Sequence, residues 1–180
     1  MKTVILCGGL GTRLSEETNL KPKPMVEIGG KPILWHVMNI FGSQGFNEFV
    51  LAAGYKGEFI KEYFLNYYNF QSDLTVQLKS GKVEVDHKTP VDWTVQIVDT
   101  GLKSMTGGRL YRLRDKLKDA SFMVTYGDGV ADVDISKLLE FHKSHGKLAT
   151  ITAVKPAAGS GLCNLQAIHQ KYFHSAKKPR

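Results

Sequence analysis
The chain has 180 residues, 42% hydrophobic and 23% charged, with a formal net charge of +7. That is enough for one compact domain with a sizeable core, and the ordinary balance argues against a disordered chain. Cys7 and Cys163 are the only cysteines, so neither a disulfide framework nor a zinc cluster is indicated, and a reducing cytoplasm fits.

The start, Met1-Lys2-Thr3, runs directly into the apolar Val4 to Leu6. That run is too short for a signal peptide or a membrane span and reads as a buried strand. It breaks into Cys7-Gly8-Gly9-Leu10-Gly11-Thr12-Arg13-Leu14. Such a loop brings backbone N–H groups close to an anion, because glycine puts no Cβ in the way. Thr12 adds a hydroxyl, Arg13 a planar fork of donors. Lys21-Pro22-Lys23-Pro24-Met25 then sets two lysines in a stiff frame. A phosphate-bearing ligand is the first expectation. No Walker A loop is present, and a dinucleotide fingerprint starting at Gly9 fails at Leu14.

Pro32 opens a helix over Ile33–Gln44, with Gly45 as its stop. Phe49–Ala53 reads as a strand, and Glu58–Tyr68 as a helix with Ile60, Phe64 and Tyr67 on a packing face. Leu74–Leu78 alternates like a strand; Ser80-Gly81-Lys82 breaks the chain before Val83–His87. Val95–Asp99 is a further strand. Thr106 is expected to cap a helix from Gly107 to Leu117. Phe122–Tyr126 is an apolar strand ending at Gly127-Asp128-Gly129, followed by a helix at Ile135–Ser144 and a strand at Ala149–Val154.

Strands alternating with helices imply an α/β fold: a Rossmann-like, mostly parallel sheet with helices on both faces. Ligands of such sheets bind outside the carboxyl ends of the strands. The glycine loop, the Asp99–Gly108 stretch and the Gly127-Asp128-Gly129 turn each follow a strand, so all three should gather at one edge.

Several of these stretches together resemble the sugar-1-phosphate nucleotidyltransferases, and within them the branch that joins CTP to glucose 1-phosphate. They are Gly8–Leu14, Ser15–Thr18, Lys21–Lys31, Val98–Gly101, Met105–Leu110 and Thr125–Asp132. The resemblance implies CTP and glucose 1-phosphate as substrates, CDP-glucose and pyrophosphate as products, and Mg2+ as the metal. It also implies a place in nucleotide sugar biosynthesis towards O antigen and lipopolysaccharide, and homo-oligomers in intact relatives. By the same resemblance, Leu6, Cys7, Gly8, Gly9 and Leu10 hold base and ribose, while Gly11, Thr12 and Arg13 cradle the triphosphate. Arg13 would neutralise the departing pyrophosphate, and Lys23 approaches the α-phosphate. Ser104, Thr106 and Arg109 help to select the nucleotide; a helix cap plus a surface arginine is the competing reading. Asp128 is the metal candidate, against the reading of a simple Asp-Gly turn. Cys7 stands where many relatives carry alanine and is expected to be buried, not nucleophilic.

The displacement at an α-phosphorus needs positioning, charge neutralisation and a metal ion, not a strong protein base. No Ser/His/Asp or Cys/His constellation is conspicuous, and His36, His87, His142 and His145 read as surface or packing residues. Nucleic acid and membrane are not expected partners. Four of the excess positive charges, at Lys171, Lys177, Lys178 and Arg180, lie in residues 159–180, which contain no acid.

The resemblance runs from Met1 to Ala158, the extent of the expected nucleotide-binding domain. From Gly159 the sequence departs from the family pattern. One-nucleotide rephasing of suitable codons for Gly159–Cys163 restores Arg-Phe-Gly-Ala-Leu, which fits that pattern. A frameshifted, poorly packed tail is therefore expected at 159–180, without the family's sugar contacts or second metal-binding aspartate. A catalytically impaired nucleotide-binding fragment is the alternative reading, and an NAD-binding Rossmann protein the third.

Overall fold
The computed structural model describes residues 1–9, 21–86, 91–118, 120–153 and 171–173. Strand β1 spans Lys2–Leu6. A single 3-10 turn at Lys23–Met25 precedes the short strands β2 (Glu27–Ile28) and β3 (Lys31–Pro32). Helix α1 (Ile33–Gly42), strand β4 (Glu48–Ala53) and helices α2 (Gly57–Leu65) and α3 (Tyr67–Gln71) follow. Strands β5 (Asp73–Gln77) and β6 (Lys82–Asp86) pair only with each other as an antiparallel hairpin. The chain continues through β7 (Thr94–Asp99), α4 (Thr106–Arg112), α5 (Arg114–Leu117) and β8 (Phe122–Tyr126). Helix α6 (Ile135–His145), β9 (Ala149–Ile151) and β10 (Lys171–Phe173) complete the described elements.

Six strands form one sheet in the order β7-β4-β1-β8-β10-β9. β7, β4, β1 and β8 are parallel, and β10 runs antiparallel to both β8 and β9. The mostly parallel α/β sheet expected from the sequence is therefore present.

The period-two alternation of a strand sorts the core into two layers. Ile5, Phe49, Leu51 and Met123 pack on one face against Val37, Met38 and Phe41 of α1, Ile60 of α2 and Ile135 of α6. Val4, Leu6, Val50, Ala52 and Val124 pack on the other face against Leu113 and Leu117. Helices thus cover both faces, and each buried large side chain contributes about 1.5–3 kcal/mol by leaving water.

Where helix ends differ from the expected ones, local hydrogen bonding explains it. The Glu58–Tyr68 helix breaks at Asn66, whose amide side chain donates to the Glu62 carbonyl at 3.1 Å and competes with the helical ladder. The Gly107–Leu117 helix divides at Leu113, a fully buried residue near φ −91°, ψ −1°, which seats α4 and α5 separately under the sheet. Thr106 is not the cap: it is the first helical residue, Met105 precedes it, and no side-chain cap bond forms. Asp134 does cap α6, accepting from the Lys137 backbone N–H at 2.9 Å. Gln44 clips the two helices of one face together, donating to Val133 O at 3.1 Å while accepting from the Ile135 N–H at 2.7 Å.

Ile60 and Tyr67 are buried as expected, and Trp35 donates its indole N–H to the Tyr67 hydroxyl at 3.0 Å. His142 and His145, eight and five residues before it, both bond the Thr150 hydroxyl, at 2.8 and 2.9 Å. They tie α6 to β9 as packing residues. His87 lies outside the described residues, as does the expected 159–180 tail apart from β10. Among the described residues no helix is long and apolar enough to cross a membrane.

Leu51 is fully buried at the centre of the sheet. Leu51→Ala should lower the unfolding free energy by about 2–5 kcal/mol in urea titrations, the range for a buried leucine that leaves a cavity.

Candidate functional site
At the carboxyl ends of β1, β4, β7 and β8 the main chain leaves the sheet, and the strand pairing is extended by single bonds beyond each end. The Cys7 N–H donates to Ala52 O at 3.1 Å and the Gly127 N–H to Leu6 O at 3.1 Å. These bonds hold the first residues of the glycine loop and the Gly127-Asp128 turn side by side. Between them opens a cleft of about 280 Å³. Leu6, Cys7, Gly8, Gly9, Lys23, Ser104, Thr106, Arg109 and Asp128 line it, together with Pro24, Met105 and Tyr126. Four separated stretches of sequence therefore meet at one edge. Leu10, Gly11, Thr12 and Arg13 lie outside the described residues.

The wall towards β7 is built around Arg109, which is only 4% exposed. Its Nη1 donates to Thr100 Oγ1 at 2.7 Å, Gly101 O at 2.9 Å and Ala53 O at 3.1 Å. Nη2 donates to Gly8 O at 2.6 Å and more weakly to Leu102 O at 3.5 Å. One guanidinium thus bonds the chain leaving β1, β4 and β7. The Thr100 hydroxyl completes the network by donating to Ala53 O at 2.6 Å. Burial pulls the Arg109 pKa below the ordinary guanidinium value, and the nearby Asp99 carboxylate opposes that shift. The reading of Arg109 as a surface arginine is therefore wrong.

Two glycines make room for that cation. A Cβ at Gly8 would overlap the guanidinium, and one at Gly54 would lie 2.6 Å from Nη1. Cys7 is fully enclosed, and burial, with the Asp128 charge, pushes its thiol well above the usual range. A protonated, inaccessible thiol is not a nucleophile.

The opposite side of the cleft carries the charged pair. Lys23 Nζ lies 2.7 Å from Asp128 Oδ2, with the two side chains 24% and 35% exposed. Lys23 is presented by the 3-10 turn, whose Pro24 and Met25 are buried and anchor it. Asp128 sits two residues beyond β8. Lys21 turns elsewhere: its Nζ pairs with Glu27 Oε1 at 2.8 Å, and it does not line the cleft.

Among the described residues no group of three or more His, Cys, Asp or Glu side chains could hold a metal ion. Asp128 offers a single carboxylate. That donor set fits a hard divalent cation that keeps several waters and takes its other ligands from phosphate oxygens.

Tyr126 and Met105 were not singled out by the sequence, yet both line the cleft; they are 36% and 81% exposed. The signal for Tyr126 was an aromatic side chain closing an apolar strand directly before Gly127-Asp128. Thr100 was likewise missed, because its role is a bond to Arg109 rather than to solvent.

The family model described as nucleotidyl transferase matches residues 2–165. Glucose-1-phosphate cytidylyltransferase of Salmonella typhi is 54% identical over 179 residues, covering 99% of this chain and 70% of that protein. Probable glucose-1-phosphate cytidylyltransferase of Bacillus subtilis (strain 168) is 44% identical, over 96% of this chain and 68% of that one. Among solved structures, HddC from Yersinia pseudotuberculosis complexed with GMP-PN superposes with a TM-score of 0.63 at 28% identity. The match covers 85% of this chain and 58% of that one.

Arg109→Lys keeps the charge but replaces a fork by a single ammonium, which cannot reach three strand ends at once. It should remove several charge-assisted hydrogen bonds to buried acceptors and lower stability by about 1–3 kcal/mol, read by thermal or urea unfolding. Gly8→Ala should act in the same direction by displacing the guanidinium.

Proposed function
This chain belongs to the nucleotidyl transferase family, and from that premise we propose that it joins CTP to glucose 1-phosphate, releasing pyrophosphate and forming CDP-glucose. The observation that carries this reading is the 54% identity with the cytidylyltransferase of Salmonella typhi, which runs over 99% of the chain and so through every segment that lines the cleft.

In the proposed reaction a phosphate oxygen of glucose 1-phosphate attacks the α-phosphorus of CTP. A new P–O bond forms there as the bond to the β-phosphate oxygen breaks. The attacking oxygen is already ionised at neutral pH, so no protein group has to remove a proton. What the chain supplies is placement and charge. The glycine loop would receive base and ribose through Leu6, Cys7, Gly8, Gly9 and Leu10, and the triphosphate through Gly11, Thr12 and Arg13. Lys23 would neutralise charge at the α-phosphate, and Arg13 at the departing pyrophosphate. Ser104 and Thr106 would face the nucleotide from α4 and its approach. Arg109 donates mostly to main-chain carbonyls and to Thr100 Oγ1, so its part is to fix the shape of the wall they stand on.

Asp128 would hold Mg2+, which when bound would polarise phosphate oxygens and offset their charge. The product would be an activated glycosyl donor, at the head of a nucleotide sugar pathway.

The direct test is pyrophosphate release by the purified chain with glucose 1-phosphate, Mg2+ and each of CTP, UTP, GTP, ATP and dTTP. Turnover with CTP at least about tenfold above the others, a difference of about 1.4 kcal/mol, is expected. Binding of CTP without turnover would favour the nucleotide-binding fragment instead. Arg13→Ala should weaken CTP binding in calorimetry by about 1.5–3 kcal/mol through loss of a charge-assisted hydrogen bond. Unchanged affinity would remove Arg13 from the site. Asp128→Asn keeps the shape and removes the charge. It should abolish the Mg2+-dependent turnover while leaving the melting temperature nearly unchanged.

A further inference from the structure
One contact in the cleft is not explained by the transfer reaction. Lys23 Nζ lies 2.7 Å from Asp128 Oδ2. In the proposed reaction Asp128 faces a divalent cation and Lys23 faces a phosphate, so the two side chains have different ligands. In this arrangement the Lys23 ammonium occupies one carboxylate oxygen of Asp128.

An ammonium and a dication cannot share a carboxylate oxygen at contact distance without strong repulsion. In a cleft of lowered dielectric that repulsion is several times its value in bulk water. A divalent cation arriving alone would have to expel Lys23 from Asp128. It would gain little in return. Mg2+ gives up its waters reluctantly, and among the described residues no group of three or more metal-ligating side chains stands ready to replace them.

A triphosphate changes both sides of that balance. Its oxygens offer Lys23 a substitute acceptor, and they provide the ligands that Asp128 alone cannot. The exchange needs only side-chain motion. The backbone of Lys23 is held between Pro22 and the buried Pro24 and Met25, while its four-carbon stem rotates.

We infer that Lys23 is a counter-ion that keeps Asp128 from taking a divalent cation until a nucleoside triphosphate is bound, so that metal and nucleotide load together. The inference rests on the assignment of the cation to Asp128. Because linkage is reciprocal, the metal must tighten nucleotide binding by the same factor by which the nucleotide tightens metal binding. What the counter-ion adds is a penalty on the cation in the absence of nucleotide, which a purely structural Lys23–Asp128 pair would not impose.

Mn2+ serves as the probe, with protein-bound ion read from the enhancement of water proton relaxation and free ion from its paramagnetic resonance signal. The unsubstituted chain, Lys23→Met, Lys23→Arg and Asp128→Asn are titrated with and without CTP, each after its thermal unfolding curve confirms a folded protein. Lys23→Gln replaces Lys23→Met if the latter does not fold. Without nucleotide, Lys23→Met should bind Mn2+ at least about tenfold more tightly than the unsubstituted chain, within the usual range of coupling between sites. Lys23→Arg, which keeps a cation against Asp128, should bind it as weakly as the unsubstituted chain. Saturating CTP should narrow the difference between Lys23→Met and the unsubstituted chain.

Equal Mn2+ affinity of Lys23→Met and the unsubstituted chain without CTP, with Asp128→Asn weaker than both, would overturn the inference and leave the metal assignment standing. Undiminished Mn2+ binding by Asp128→Asn in the presence of CTP would instead show that the cation is not held there, and both would fall.

Discussion

A guanidinium enclosed by main-chain carbonyls is the constraint on which the rest of this cleft depends. Carbonyl oxygens at the ends of these strands can accept more than one hydrogen bond, and a buried cation needs several such acceptors. Arg109 supplies donors to the chain leaving β1, β4 and β7 at the same time. Its planar fork explains why one residue can serve three segments, and the missing Cβ atoms of Gly8 and Gly54 explain how it fits. Gly8, just beyond β1, is thereby tied to α4. That relation sets the distance across which Ser104 and Thr106 face Gly8 and Gly9.

The other half of the cleft obeys different physics. Lys23 and Asp128 are part exposed and joined by one ion pair. Among the described residues nothing comparable to the hydrogen-bond cage of Arg109 restrains them. A rigid wall opposite a rearrangeable pair suits a reaction whose demands are positioning on one side and shifting charge on the other. The proposed exchange at Asp128 uses this difference: Arg109 is held by five hydrogen bonds, whereas Lys23 is held to Asp128 by one ion pair.

Much of this was legible in the sequence, for identifiable reasons. Val4–Leu6, Phe49–Ala53 and Phe122–Tyr126 are apolar runs bounded by glycine or polar residues, and each is a strand of the parallel sheet. Their order with the intervening helices placed the glycine loop, the segment after β7 and the Gly127-Asp128 turn at one edge, where they line a common cleft. What was not legible depends on contacts far apart in the chain. Arg109 sits in a helix among Gly107, Gly108 and Tyr111, a setting that reads as exposed; only its 101-residue reach to Gly8 O reveals a buried role. The break at Leu113 follows from its burial beneath the sheet, which a helical repeat does not signal. The break at Asn66 was open to inspection, since an asparagine amide competes for helical carbonyls. The separate Lys21–Glu27 pair shows that the two lysines of Lys-Pro-Lys-Pro face different surroundings, although they are only two residues apart.

The central claim is that CTP occupies the cleft at the carboxyl ends of β1, β7 and β8. Amide chemical shifts recorded during titration of the isotopically labelled chain with CTP and Mg2+ test it residue by residue. CTP in this cleft should give saturable shifts at Leu6–Gly9, Lys23, Ser104–Arg109 and Tyr126–Asp128, with the β5–β6 hairpin unmoved. Saturable shifts confined instead to the second, aromatic-lined cavity of about 480 Å³ beside Phe64, Tyr67 and Trp93 would contradict it.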